Sequence, residues 1–298
     1  MVNNKVKPFL KWIGGKSQLL SEIKRYYPFD DGKITKYVEP FVGGGAVLFD
    51  ILNKYELEAV YINDSNAELI NAYRIVRDDV NALIEALMTM QNEFLPMSIE
   101  ERKAYYTDKR NQFNELIGDS SLDNKVLKSA LMIFLNKTCF NALYRVNSKG
   151  LFNVPMGTYR NPTICDEDNL RAVSERLKDV TVLCGDYHNT IDFIDSKTFV
   201  YLDPPYRAIS KTSNFTSYTR EWDGDKSQIA LSEFIDNVNA EGALVLMSNS
   251  DPKNTDAQDN FFDVLYSSYN IKRVEAERRL NCKADGRGAV KELLISNF

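Results

Sequence analysis

The stretch that most restricts the fold of this chain is the apolar run at residues 198–202 that stops at Asp203-Pro204-Pro205-Tyr206. Thr-Phe-Val-Tyr-Leu reads as a buried strand. Two successive prolines cannot continue a hydrogen-bonded ladder, so the strand ends there. The residue before a proline is held extended, which fixes Asp203 at the strand's carboxyl end. In open α/β sheets that end is where ligands bind. A carboxylate, the carbonyl of Pro204 and the ring of Tyr206 then gather at one point. Together they suit a flat ring that bears an amino group. The plain alternative is a strand ending in an ordinary Pro-Pro turn.

The rest of the chain repeats the strand-then-acid pattern. A strand at 37–39 runs through Glu39-Pro40-Phe41-Val42 into Gly43-Gly44-Gly45, and a helix is expected over 46–52. This opens like a Rossmann unit but is not Gly-x-Gly-x-x-Gly, and Glu39 would repel a pyrophosphate. A ligand with an amino group and no phosphate is compatible with it. The next strand, 59–64, ends in Asp64, 19 residues after Gly45. At that spacing an acid takes ribose hydroxyls, so the ligand reads as adenosine-like. Strands at 180–186 (ending in Asp186) and 243–249 continue the series, with a helix over 226–238. Near the start, Gly14-Gly15 precedes a helix expected over 17–27, whose free N–H groups could meet a ligand. Strands at 270–278 and 289–298 close the chain and flank a basic loop at 279–287.

Between 66 and 168 the period changes. Residues 66–77, 79–94, 98–116 and 122–137 are helical in pattern, and Ser98-x-x-Glu101 resembles a capping box. No strand of a βαβ repeat interrupts them, so an inserted helical subdomain is expected. It ends in a hairpin at 143–155 that turns at Asn147-Ser148-Lys149-Gly150. A ribbon carrying Arg145 and Lys149 fits a DNA groove; the plain alternative is a surface hairpin.

A net charge of −5 argues against a nucleic-acid binder until the charge is mapped. Residues 125–160 hold six basic and no acidic side chains, residues 1–36 eight against three, and residues 272–291 seven against three. Three cationic stretches on an acidic chain point to a polyanion footprint on one side. His188 is the only histidine. Ser-His chemistry and a multi-histidine metal centre are therefore not expected. His188 itself is expected to decorate a helix start after Gly185-Asp186-Tyr187. The four cysteines form no Cys-x-x-Cys pair and read as reduced thiols. No apolar run of about 18 residues occurs, and the N-terminus lacks a signal core, so a cytoplasmic protein with no membrane span is expected.

Several motifs then coincide in one order: Phe9-Leu10-Lys11-Trp12-x-Gly14-Gly15-Lys16, Glu39-Pro40-Phe41-x-Gly43-Gly44-Gly45, Asn63-Asp64, Tyr144-Arg145-x-Asn147, Asp203-Pro204-Pro205-Tyr206 and Asn214-Phe215-Thr216-x-Tyr218. Over almost its whole length the chain resembles the Dam-type DNA adenine-N6 methyltransferases, in particular the GATC-modifying enzymes of restriction–modification systems. The resemblance implies an α/β, Rossmann-like class I S-adenosylmethionine-dependent methyltransferase sheet with an inserted helical DNA-recognition subdomain carrying a β-hairpin. Expected boundaries are 1–65 and 169–298 for the catalytic domain and 66–168 for the insert. The methyl donor would be S-adenosylmethionine, with no metal. Trp12, Lys16, Glu39, Phe41, Gly43, Asp64, Asp186 and Asp203 would hold it. Asp203, Pro204 and Tyr206 would take the target adenine. Lys11, Phe140, Asn141, Leu143, Arg145, Asn147, Pro155 and Tyr159 would contact double-stranded DNA. A restriction endonuclease would be a functional rather than a physical partner. Two departures stand out: Phe140 occupies a position that is commonly Tyr, and Ala142 one that is frequently Gly. Two other readings are an RNA or protein-glutamine N-methyltransferase and a non-catalytic DNA-binding module.

Overall fold

The computed structural model describes residues 5–12, 14, 16–119, 121–207, 224–277 and 289–298. The aromatic motif at 214–218 and the basic loop at 279–287 lie outside them. Among the described residues seven strands form one sheet: β1 (Lys36–Glu39), β2 (Ala59–Ile62), β3 (Val180–Val182), β4 (Thr198–Leu202), β5 (Leu244–Ser250), β6 (Asn270–Glu277) and β7 (Ala289–Ser296). Their order is β3-β2-β1-β4-β5-β7-β6. β1 pairs in parallel with β2 and β4, and β4 with β5, whereas β7 runs antiparallel to β5 and β6. This is a mixed α/β sheet of the Rossmann-like kind. Strand order reverses at β1, with β2 on one side and β4 on the other. The carboxyl ends of β1 and β4 are thus a topological switch point, where such sheets bind ligands. β4 is buried at every position, as its unbroken apolar run predicts.

The helices are α1 (Leu20–Ile23), α2 (Ala46–Leu52), α3 (Ala67–Asp78), α4 (Val80–Phe94), α5 (Ile99–Glu115), α6 (Leu122–Thr138), α7 (Glu167–Leu177), α8 (Gly224–Ala240) and α9 (Phe261–Leu265). Asn66 starts α3 by accepting from the N–H groups of Glu68 and Leu69. Ser98 and Glu101 form the expected reciprocal capping box at α5. One expectation fails: no continuous helix spans 17–27. Short 3-10 turns at Lys16–Gln18 and Lys24–Tyr26 flank α1 instead. Pro28 holds Tyr27 extended, at ψ 117°, and Leu19 offers α1 no side-chain cap.

Two compact units result. The first comprises Met1–Gly15, Gly43–Lys54 and Asn66–Gly185; the second comprises Lys16–Val42, Tyr55–Ser65 and Asp186–Phe298. In the first, α6 packs against α3, α4 and α5. Its run Ala130 to Leu135 is wholly buried, as a helix enclosed on all sides requires. A buried ion pair, Lys128 to Glu68 at 3.0 Å, links α6 to α3. In the second, α8 places Leu231, Phe234 and Ile235 in one core with Val200, Val245 and Leu293 of the sheet. Among the described residues no helix is long and apolar enough to cross a membrane.

Candidate active site

Three of the acids picked out from the sequence follow neighbouring parallel strands of the second unit. Glu39 ends β1, Asp64 lies two residues beyond β2, and Asp203 directly follows β4. The turns are tied together: the Asn63 N–H donates to the Glu39 carbonyl at 3.0 Å, and the Val42 N–H to the Asn63 carbonyl at 2.9 Å. Glu39 is buried, and its carboxylate accepts from the Tyr37 hydroxyl at 2.8 Å.

Asp203 sits in a polar cage. The Lys16 ammonium lies 2.6 Å from its carboxylate, and the Ser248 hydroxyl donates to the same oxygen at 3.3 Å. Burial pushes the Asp203 carboxyl above the usual range, and Lys16 opposes that shift. The same ammonium lies 4.8 Å from the centroid of the Tyr206 ring. Lys16 is only 5% exposed, so a buried cationic nitrogen touches a carboxylate and an aromatic face at once.

The chain beyond Asp203 is braced residue by residue. The Pro205 carbonyl accepts from the Gln228 amide at 3.1 Å, and Gln228 in turn accepts from Asn249 at 3.1 Å. The Tyr206 hydroxyl donates to Glu292 on β7 at 2.8 Å. Arg207 pairs with Asp225 at 2.5 Å and Asp259 at 2.6 Å, and its guanidinium lies 4.3 Å from the centroid of the Phe261 ring. Asp186 caps a short 3-10 turn, Tyr187–Phe193, by accepting from the His188 N–H at 2.8 Å. His188 therefore decorates a helix start, as expected. Tyr187 stacks on His188 and meets Phe41 at 5.3 Å between ring centroids.

The first unit holds the remaining candidates. Its glycine triplet is explained by close packing: a Cβ on Gly43 would stand 3.1 Å from the Trp12 ring, and one on Gly45 2.5 Å from the Tyr73 hydroxyl. Both glycines also have positive φ, at 48° and 72°. Trp12 stacks on Tyr144 at 5.5 Å between centroids. Tyr144 leads into the ribbon, which is less regular than the alternation implies. It has two isolated bridges, Val146 with Phe152 and Cys139 with Met156. Asn114 of α5 holds it by bonding both the N–H and the carbonyl of Phe152.

The DNA candidates all belong to this unit. Phe140 is 50% exposed and donates its N–H to the Pro155 carbonyl. Asn141 and Ala142 both have φ 53°, a left-handed backbone that favours glycine. Leu143 is half-buried and Arg145 exposed, with the Arg145 Nε donating to Asn153 at 2.8 Å. The Asn147 side chain accepts from the Lys149 and Leu151 N–H groups and closes the turn. The Lys11 ammonium stands 5.2 Å from the Tyr159 ring centroid, where Lys137 and Arg160 line a cavity of about 370 Å³. Burial and the nearby Lys11 hold the Lys137 ammonium below its ordinary pKa.

Residues 12–280 match the model of the D12 class N6 adenine-specific DNA methyltransferases. The chain belongs to that family. It is 49% identical over 296 residues to Type II methyltransferase M.MjaIII of Methanocaldococcus jannaschii, covering 98% of this chain and 99% of that one. It is 36% identical to Type II methyltransferase M1.LlaDCHI of Lactococcus lactis subsp. cremoris, covering 98% and 96%. It is 34% identical to a DNA adenine methylase of Vibrio cholerae, covering 97% and 95%. In this D12 enzyme, sequence reasoning missed Gln228, Glu292 and the partners of Arg207. They brace Pro205, Tyr206 and Arg207 from 18 to 86 positions away. Only the charged pair Lys291-Glu292 ahead of the apolar run 293–295 hints at any of them.

Proposed function

We propose that the enzyme moves a methyl group from S-adenosylmethionine to N6 of an adenine swung out of duplex DNA, within GATC. The observation that carries this reading is the Lys16 ammonium, held by the Asp203 carboxylate and against the Tyr206 ring. The chain's own nitrogen stands there in place of the exocyclic amine of adenine.

The side chains suit the donor chemically. Glu39, Asp64 and Asp186 offer carboxylates to ammonium and hydroxyl groups, no phosphate cradle is needed, and Phe41 with Tyr187 offers aromatic faces to a purine. Trp12 and Gly43, which meet in the first unit, are assigned to the donor by family resemblance. When bound, the donor supplies an electrophilic methyl carbon on a cationic sulfur. Extruding the base costs a few kcal/mol of unstacking, and stacking on Tyr206 offsets part of it. The incoming amine replaces the Lys16 ammonium. Asp203 and the Pro204 carbonyl then accept its two N–H groups, which frees the nitrogen lone pair from the ring. These bonds strengthen as the nitrogen turns cationic, so they favour the transition state over the ground state. Arg145 reads guanine in the major groove, and Lys11, Phe140 and Tyr159 contact the site beside it. As with the relatives named Type II methyltransferases, the activity would protect DNA from a restriction endonuclease.

The test is to treat unmethylated DNA with the purified protein and S-adenosylmethionine and to sequence the modified bases. N6-methyladenine confined to GATC is expected. Modification at another sequence would overturn the site, and unmodified adenine would overturn the transfer.

A further inference from the structure

We propose that Glu292 is a positioning residue for methyl transfer that acts through the hydroxyl of Tyr206. The role rests on the function proposed above.

Glu292 is fixed from both sides. On β7 it pairs with Ser250 of β5 and Val274 of β6, and the next three residues, Leu293 to Ile295, are buried. The strand thus fixes the point from which the Glu292 side chain reaches Tyr206. The hydroxyl donates to Glu292 Oε2 at 2.8 Å. Burial and the nearby Asp203 and Glu292 carboxylates push the Tyr206 hydroxyl well above its ordinary pKa, so the proton stays on oxygen. A neutral donor facing a charged acceptor makes a bond about twice as strong as a neutral pair.

This bond has two effects. It anchors the hydroxyl end of the ring, and it shifts electron density from the polarised O–H into the ring face. The face so enriched is the one 4.8 Å from the Lys16 ammonium, which also lies 2.6 Å from Asp203. A positive nitrogen is thus already stable at that point. During transfer the adenine nitrogen uses its lone pair to bond the methyl carbon. The carbon–sulfur electron pair stays with sulfur. The nitrogen carries the positive charge until it gives one proton to water. A ring face made more negative by Glu292 stabilises that charge, which is absent from the bound substrate. Glu292 therefore raises the rate and leaves binding unchanged.

A double-mutant cycle tests this, using Glu292→Gln, Tyr206→Phe and the two together in the full-length protein. Single-turnover methylation of a duplex is measured alongside calorimetric affinities for S-adenosylmethionine and for the duplex. Glu292→Gln keeps the shape and an acceptor oxygen but removes the charge. It is expected to slow transfer about tenfold, with both affinities within about twofold of wild type. In the Tyr206→Phe background the same substitution should change the rate less than about twofold, because the hydroxyl it acts through is gone. Equal slowing in both backgrounds would overturn the proposal, as would weakened binding at an unchanged rate. Glu292→Asp draws the carboxylate back from the hydroxyl by one methylene and keeps the charge on β7. It should slow transfer as well, and a full rate in either Glu292 variant refutes the role. A wild-type protein that leaves adenine unmethylated would refute the underlying function instead.

Discussion

The end of the sheet in the second unit and the ribbon of the first hold their side chains in opposite ways. Around Asp203, polar groups are buried and tied: Lys16 and Glu39 are nearly inaccessible, and Pro205, Tyr206 and Arg207 each have a named partner. On the ribbon, Phe140 and Arg145 stand exposed, and isolated bridges replace a regular ladder. Stabilising a charge that exists only during reaction requires dipoles that are already in place. Reading a groove requires side chains that extend away from the protein and find their partners on the nucleic acid.

Substitutions should separate these two designs. The largest effect is expected at Asp203. Asp203→Ala should slow single-turnover methylation by about 10²–10³-fold or more while duplex affinity is retained; near-normal turnover would remove Asp203 from the chemistry. Arg145→Ala should produce the reverse pattern. It should lose about 1–3 kcal/mol of discrimination between cognate and mismatched duplexes in competition binding, with little change in affinity for unrelated DNA. A subtler break is Lys16→Met. Burial raises the Asp203 pKa and Lys16 counters it, so removing the ammonium raises it further. In the proposed mechanism the amine is met by an ionised carboxylate, so the acid limb of the kcat/KM–pH profile, which reports the enzyme before the amine replaces Lys16, should move to higher pH. A limb that stays in place or moves down would contradict the pairing. The smallest effect lies in the turn behind Phe140. Ala142→Gly should stabilise the protein by up to about 1 kcal/mol, read by calorimetry, because it relieves a left-handed alanine.

Local patterns carried much of the fold. Period and capping placed α3 to α6 within a residue or two, and Pro-Pro stopped β4 where expected. The glycine triplet was legible as a special backbone, but its reason was not: Trp12 and Tyr73 crowd it from outside the motif. The expected 17–27 helix is broken because Leu19 gives α1 no side-chain cap and Pro28 holds Tyr27 extended. The pairing of Lys16 with Asp203 was beyond reach because it joins residues 187 positions apart through the sheet order. Each group was visible in its own motif; nothing local says that one rests on the other.

The chain passes between its units five times, and two of those crossings fall within the sequence motifs, at Gly15/Lys16 and Val42/Gly43. No single cut of the gene encodes either unit. A chimera that borrows the first unit of a relative must exchange three separate segments, each of which begins at or ends directly beside a residue proposed above to hold the methyl donor: Lys16, Gly43 or Asp186. Under the proposed function, site specificity is therefore better altered by point changes on the ribbon than by module exchange.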